Sequence, residues 1–191
     1  PFLVMNAWAY QWHSMPNKNF CHSVHSPPNA DAGLTGFYQE KGCSTFCAVR
    51  EPLHRFVSTA AFDGLFSCQG DAKANAENFI HSAFHPLGLI RLNPYLASCM
   101  FVPQVQMVYG IRSKETAAQP YCHHVLRQES LESDFNMLMA DYGSNVTLGN
   151  RSIFPSQKCH LNANDLSESA KALVYEYYKE DYLAFGYPKP Y

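Results

Sequence analysis

Residues 43–50, Cys-Ser-Thr-Phe-Cys-Ala-Val-Arg, are short and β-prone. They pass through Glu51-Pro52 directly into apolar residues at helical spacing, Leu53, Phe56, Val57, Ala60 and Ala61. A strand-like run gives way to the helical period at a proline. Proline suits the first turn of a helix, where the N–H it lacks has no intrahelical partner in any case. Segment 43–58 therefore reads as a buried strand, a turn and the start of a helix that runs to about Phe66. A strand feeding a helix so abruptly points to an α/β fold.

The rest of the chain keeps the alternation. Further strands are expected at 2–12, 105–109 and 122–127. Helices are expected at 72–84, at 129–142 with Gly143 as its stop, and from Asp165 or Ser167 to Gly186, with a helical turn at 94–99 and a long loop over 144–164. Leu131, Phe135, Leu138 and Met139 mark the buried face of the helix at 129–142, and Leu166, Leu173, Val174, Tyr177 and Phe185 that of the last. Strands alternating with helices predict a mainly parallel sheet with helices on both faces. The 191 residues suit a single domain over 1–191, and 47% hydrophobic against 16% charged residues predicts a sizeable core.

A formal charge of -2 provides no field to draw nucleic acid or an acidic membrane, so any bound anion must be held by local donors. No apolar run reaches the roughly 18 residues that span a bilayer. The chain begins at Pro1 and reads as a processed piece that an upstream leader or anchor could have preceded. The tyrosine-rich stretch 175–191 is a candidate packing surface for a protein partner.

Seven cysteines, at 21, 43, 47, 68, 99, 122 and 159, contain no CxxC pair, so a zinc ribbon is not expected. On composition they lean towards buried free thiols. Two Asn-x-Ser/Thr sequons, Asn145-Val146-Thr147 and Asn150-Arg151-Ser152, pull towards a lumenal or secreted compartment and mark Asn145 and Asn150 as glycosylation candidates.

The chemistry-bearing constellation is Arg50 at the carboxyl end of its strand with Ser58 eight residues on, inside the following helix. Open α/β sheets bind ligands at the carboxyl ends of strands. Arginine offers a planar fork to phosphate oxygens, and a helix start adds N–H donors and a positive dipole end. Spacing alone leaves a second reading equally open: Arg50 paired with Glu51 or Glu129, and Ser58 facing a carbonyl.

The stretch Phe46-Cys-Ala-Val-Arg-Glu-Pro-Leu-His-Arg-Phe-Val-Ser58-Thr resembles the 3′-phosphate-binding element of sulfotransferases that use 3′-phosphoadenosine 5′-phosphosulfate (PAPS), in particular the Golgi carbohydrate sulfotransferases and their algal and bacterial relatives. Arg50, Glu51, Pro52, Arg55 and Ser58 carry the match. Pro103-Gln104 resembles a Pro-Gln that precedes a strand in that family. Val125-Leu-Arg-Gln-Glu-Ser-Leu131 with Asp134-Phe135 resembles its strand-to-helix segment, and 173–187 its last helix, closing on Phe185-Gly-Tyr187. The resemblance covers 43–187 and implies a P-loop-like sulfotransferase fold.

Lys18-Asn19-Phe20-Cys21-His22-Ser23-Val24 is similar to the family's 5′-phosphosulfate loop. The resemblance implies that Lys18 neutralises the phosphate bridging to the sulfuryl group, with Asn19, His22, Ser23, Arg50 and Ser58 completing the co-substrate site. His25, just past that loop, is the candidate general base, ahead of Glu40. His54 is read as facing solvent, and His123-His124 as a strand pair with a core imidazole. No metal is implied. The expected activity is sulfuryl transfer from PAPS to a hydroxyl of a glycan or small metabolite, in the Golgi lumen or secretory pathway. The Pro-Pro break, the missing histidine and the tyrosine-rich end support an alternative, a catalytically inactive relative serving as a structural or accessory subunit. Pro27-Pro28 interrupts the helix expected after Val24, the interval from Lys18 to Arg50 is short, and Met100 stands where relatives carry a histidine.

Overall fold

The structure, a computed structural model, describes residues 44–92, 99–109, 122–148, 159 and 161–191. Their elements, in order, are β1 (Phe46–Val49), α1 (Pro52–Phe62), α2 (Ala72–Ala83), α3 (Leu89–Leu92), α4 (Gln104–Tyr109), β2 (His124–Arg127), a 3-10 turn at Gln128–Ser130, α5 (Leu131–Asp141), a second 3-10 turn at Ala163–Asp165, α6 (Glu168–Tyr177) and α7 (Lys179–Phe185). The fold is mixed α/β. The chain divides into two compact units, Pro1–Thr45 with Ser82–His123, and Phe46–His81 with His124–Tyr191.

The second unit holds the strand–turn–helix segment. β1 and β2 pair in parallel, with Phe46 opposite His124 and Val49 opposite Arg127. Side chains alternate across the pair. Leu126 faces α5 and packs with Phe135, Leu138 and Met139 at the helical spacing read from sequence. Phe46 meets the Phe135 ring edge-on at 5.7 Å. Val49, on the opposite face, is buried.

α1 buries Leu53, Phe56, Val57 and Ala60, a three-and-four spacing that gives one apolar stripe. It packs against α6 and the 3-10 turn at Ala163–Asp165. The Phe56 ring stacks on Phe79 at 6.0 Å and tilts against Tyr178 at 6.2 Å. Full burial of such a ring contributes about 1.5–3 kcal/mol. Ser167 caps α6, its Oγ accepting from Ala170 N–H, while its own N–H donates to Glu77 Oε1 at 2.7 Å. The single last helix expected from sequence is interrupted at Tyr178, whose ring is fully buried, and resumes as α7. The polypeptide then leaves α7 through Gly186, at φ +65°.

In the first unit, Val102, Val105 and Val108 are buried. Segment 105–109 is the helix α4, not the strand expected from Val-Gln-Met-Val-Tyr. Five residues fit either period. Burial of Val105 and Val108, three apart, and Pro103 just ahead of the first turn settle it as helical. The Pro-Gln pair therefore leads into a helix.

Cysteine usage also departs from expectation. Cys68 and Cys159 form a disulfide, with Cα atoms 5.0 Å apart, and Cys47, Cys99 and Cys122 are disulfide-bonded as well. Pairing depends on which Cα atoms the fold brings within reach, and spacing along the chain does not report that. Expected elements at 2–12 and 94–98 lie outside the described residues. No described helix is long and apolar enough to cross a membrane.

Candidate anion site at the carboxyl end of β1

The two parallel strands end side by side, and the chain does the same thing twice there. Glu51 lies two residues past β1 and Glu129 two residues past β2. The two are joined directly, since Glu51 N–H donates to the Glu129 side-chain Oε1 at 2.7 Å. Glu51 then caps α1. Its Oε2 accepts from His54 N–H at 2.7 Å, and its Oε1 accepts from the Tyr182 hydroxyl at 2.6 Å. That hydroxyl also accepts from Leu53 N–H at 3.2 Å. On the β2 side, the Tyr187 hydroxyl donates to Glu129 Oε2 at 2.9 Å.

Arg127 donates from its guanidinium to Phe185 O at 2.7 Å and lies 4.9 Å over the Tyr187 ring. Asp134 Oδ2 accepts from the Ser130 hydroxyl at 2.6 Å. The three sequence segments 46–58, 125–135 and 173–187 are thus joined into one lattice by glutamate–tyrosine and arginine–carbonyl hydrogen bonds. Gly186 turns the chain at this point. A side chain there would be strained at its positive φ.

The electrostatics follow from these contacts. Burial disfavours charge on Glu129. The Glu51 N–H, its own N–H, the Tyr187 hydroxyl and the Arg50 charge outweigh that, and they hold its carboxyl below the usual glutamate range. Burial, with donation to Glu51, pushes Tyr182 well above the ordinary tyrosine value. Burial and donation to Glu129 do the same for Tyr187.

These bonds overturn one expectation. The start of α1 was expected to offer N–H groups to an anion. Pro52 has none, Leu53 N–H is taken by Tyr182, and His54 N–H by Glu51. The Glu51 carboxylate already occupies the positive end of the helix dipole. An anion near α1 must therefore be met by side chains.

Arg50, His54, Val57, Ser58 and Ala61 line an open cleft of about 80 Å³ together with Cys159, Leu161 and Ala163. His54 and Ser58, four apart in α1, share one face of the helix, and Arg50 precedes it. Glu51 and Glu129, the carboxylates considered as partners for Arg50, make the hydrogen bonds of the lattice; Arg50 lines the cleft, and its charge also acts on Glu129. His54, half-buried, lines this open cleft. Its Nε2 lies 3.4 Å from Asn164 Oδ1. Sequence reasoning passed over it, although its spacing of four from Ser58 along the helix was a usable signal. Cys159 is held to the segment after α1 by its disulfide to Cys68.

His123 and His124 are not core imidazoles. His123 Nδ1 accepts from Thr45 N–H at 3.1 Å, and His124 Nε2 lies 2.9 Å from the Tyr142 hydroxyl. Lys18, Asn19, His22, Ser23, His25, Glu40 and Asn150 lie outside the described residues. Among the described residues, no group of three or more His, Cys, Asp or Glu side chains is arranged to hold a metal ion. No family model, curated protein or solved structure matches the chain.

Proposed function

We propose that this chain is a PAPS-dependent sulfotransferase of the carbohydrate-sulfotransferase kind, with a P-loop-like fold, that moves a sulfuryl group to a hydroxyl of a glycan or small metabolite. One observation carries the reading: Arg50 and Ser58 line the same cleft beside the carboxyl end of a parallel strand. Its volume of about 80 Å³ is well below the roughly 300–1,000 Å³ of whole-ligand pockets. The cleft therefore suits a tetrahedral oxyanion such as the 3′-phosphate of the nucleotide.

In this reading Arg50 offers its fork to two phosphate oxygens, and Ser58 and His54 complete the set. The acceptor oxygen attacks sulfur in line as the bond from sulfur to the bridging oxygen breaks, and adenosine 3′,5′-bisphosphate departs. Lys18 neutralises the departing phosphate and His25 takes the acceptor's proton, both assigned by resemblance. Asn19, His22 and Ser23 hold the 5′ side on the same basis. The Cys68–Cys159 disulfide supports maturation in an oxidising compartment, in keeping with a Golgi or secretory location. A protein partner at 175–191 would meet exposed Tyr191 and the Lys189 ammonium 3.7 Å over its ring, since Tyr178 and Tyr182 are core.

One observation favours the inactive accessory subunit instead: the start of α1 has no N–H left for a ligand. Thermal denaturation with adenosine 3′,5′-bisphosphate separates the two. The enzyme reading expects stabilisation, about 2.7 kcal/mol at 100 times Kd, and its loss in Arg50→Ala. A flat response from the unaltered protein at millimolar ligand leaves the accessory role.

A further inference from the structure

The sequon Asn145-Val146-Thr147 has no part in the anion site, and its placement is specific. α5 ends in a left-handed turn at Gly143, φ +67°. Gly143 N–H donates to Ala140 O at 2.8 Å and Ser144 N–H to Met139 O at 2.9 Å, the paired bonds that close a helix and release the chain from it. The sequon begins at the next residue. Val146 N–H donates to Ser144 Oγ at 3.3 Å, and Leu148 N–H to Asn136 Oδ1 at 2.8 Å. The tripeptide is thus suspended between two local anchor points, outside any helix or strand. Asn145, Val146 and Thr147 are all exposed.

A second observation is independent of that geometry. The chain carries the Cys68–Cys159 disulfide and three further disulfide-bonded cysteines, Cys47, Cys99 and Cys122. Structural disulfides form in oxidising, mostly secretory compartments, which in eukaryotic cells is where asparagine-linked oligosaccharides are attached. Exposure, lack of regular structure and redox history therefore converge on one residue.

We infer that Asn145 carries an N-linked oligosaccharide. In the transfer, Asn145 Nδ2 bonds to the anomeric carbon of a lipid-pyrophosphate-linked oligosaccharide. The bond from that carbon to the pyrophosphate oxygen breaks, the lipid pyrophosphate leaves, and the amide proton is lost to base. Nothing is oxidised or reduced. Thr147 supplies the hydroxyl the transferring enzyme requires, and the turn at Gly143 keeps the acceptor amide clear of the helix. The modification does not depend on the sulfotransferase reading, because it uses no residue of the cleft.

The test is secretion of the full chain from a eukaryotic host, followed by digestion with peptide N-glycosidase in heavy-oxygen water and peptide mass spectrometry. Asn145 should be converted to isotope-labelled aspartate, and the intact chain should gain mobility on a gel. Thr147→Ala and Asn145→Gln should each abolish the label at this position, while Thr147→Ser should keep it. These positions are exposed, and near-native melting of the variants would confirm that loss of label is not loss of fold. An unlabelled Asn145 in a secreted chain whose Cys68–Cys159 bond has formed overturns the inference, as does label confined to Asn150.

Discussion

Tyr182→Phe removes a single oxygen from the centre of the lattice. The ring, 2% exposed, keeps its packing in the variant. Two hydrogen bonds disappear: donation to Glu51 Oε1 at 2.6 Å and acceptance from Leu53 N–H at 3.2 Å. A hydrogen bond to a charged group contributes about 1.5–3 kcal/mol, and an orphaned buried donor costs about 1–3 kcal/mol. Glu51 is half-buried, so water can replace part of its loss. Leu53 is fully buried, and its N–H cannot be rehydrated in place. The net expectation is a loss of about 2–3 kcal/mol in urea-induced unfolding at pH 7 with disulfides intact.

The pH dependence provides a second readout. The folded-state pKa of Tyr182 is raised, so its contribution is complete below the unfolded tyrosine value near 10 and is lost as pH climbs above that. The stability gap between wild type and Tyr182→Phe should therefore be widest near neutrality and shrink above about pH 10. A loss under about 0.5 kcal/mol, or a gap unchanged through the alkaline limb, would refute the claim that this hydroxyl holds the start of α1.

Two further perturbations probe the supports of the site. Cys68 and Cys159 are 91 residues apart, and closing a loop of that length restricts the unfolded chain by about 4.6 kcal/mol, an upper figure because other cystines already restrict it. Cys68→Ser with Cys159→Ser should lower unfolding free energy by about 2–4 kcal/mol and weaken the response to adenosine 3′,5′-bisphosphate, because Cys159 is part of the cleft wall; equal stability and an equal ligand response would count against it. Glu129, whose folded pKa is lowered, contributes stability that is present above the unfolded glutamate value and lost as pH falls through the folded one. Glu129→Gln should accordingly be less stable than wild type at pH 7, with the difference fading towards about pH 3 in urea titrations; a difference that grows on acidification would reverse the sign argued here.

The strand–turn–helix at 46–62 was legible because the side-chain period changes at one place and a proline stands there. The placing of Arg50 at the strand end and of Ser58 inside the helix that follows was legible for the same reason. What could not be read was the division of labour within the motif. Glu51, Glu129, Tyr182 and Tyr187 all stood in segments with a recognisable pattern, yet their tasks depend on partners 58 to 131 residues away. Contacts at that range leave no local period. The same limit hid the cystines and let five residues at 105–109 pass as a strand.

The contacts sort the motif into two groups with different chemistry. Glu51, Glu129, Arg127, Asp134, Tyr182 and Tyr187 hold the two strand ends and α7 together, while Arg50, His54 and Ser58 face the cleft. The first group places a carboxylate on the N-terminus of α1 and a second one beside it, so the helix dipole is offset before any ligand arrives. Among the described residues lining the cleft, Arg50 alone is permanently charged. In the proposed reading Arg50 is thus the described charge that meets an oxyanion, and the glutamate–tyrosine lattice fixes the turn that follows it.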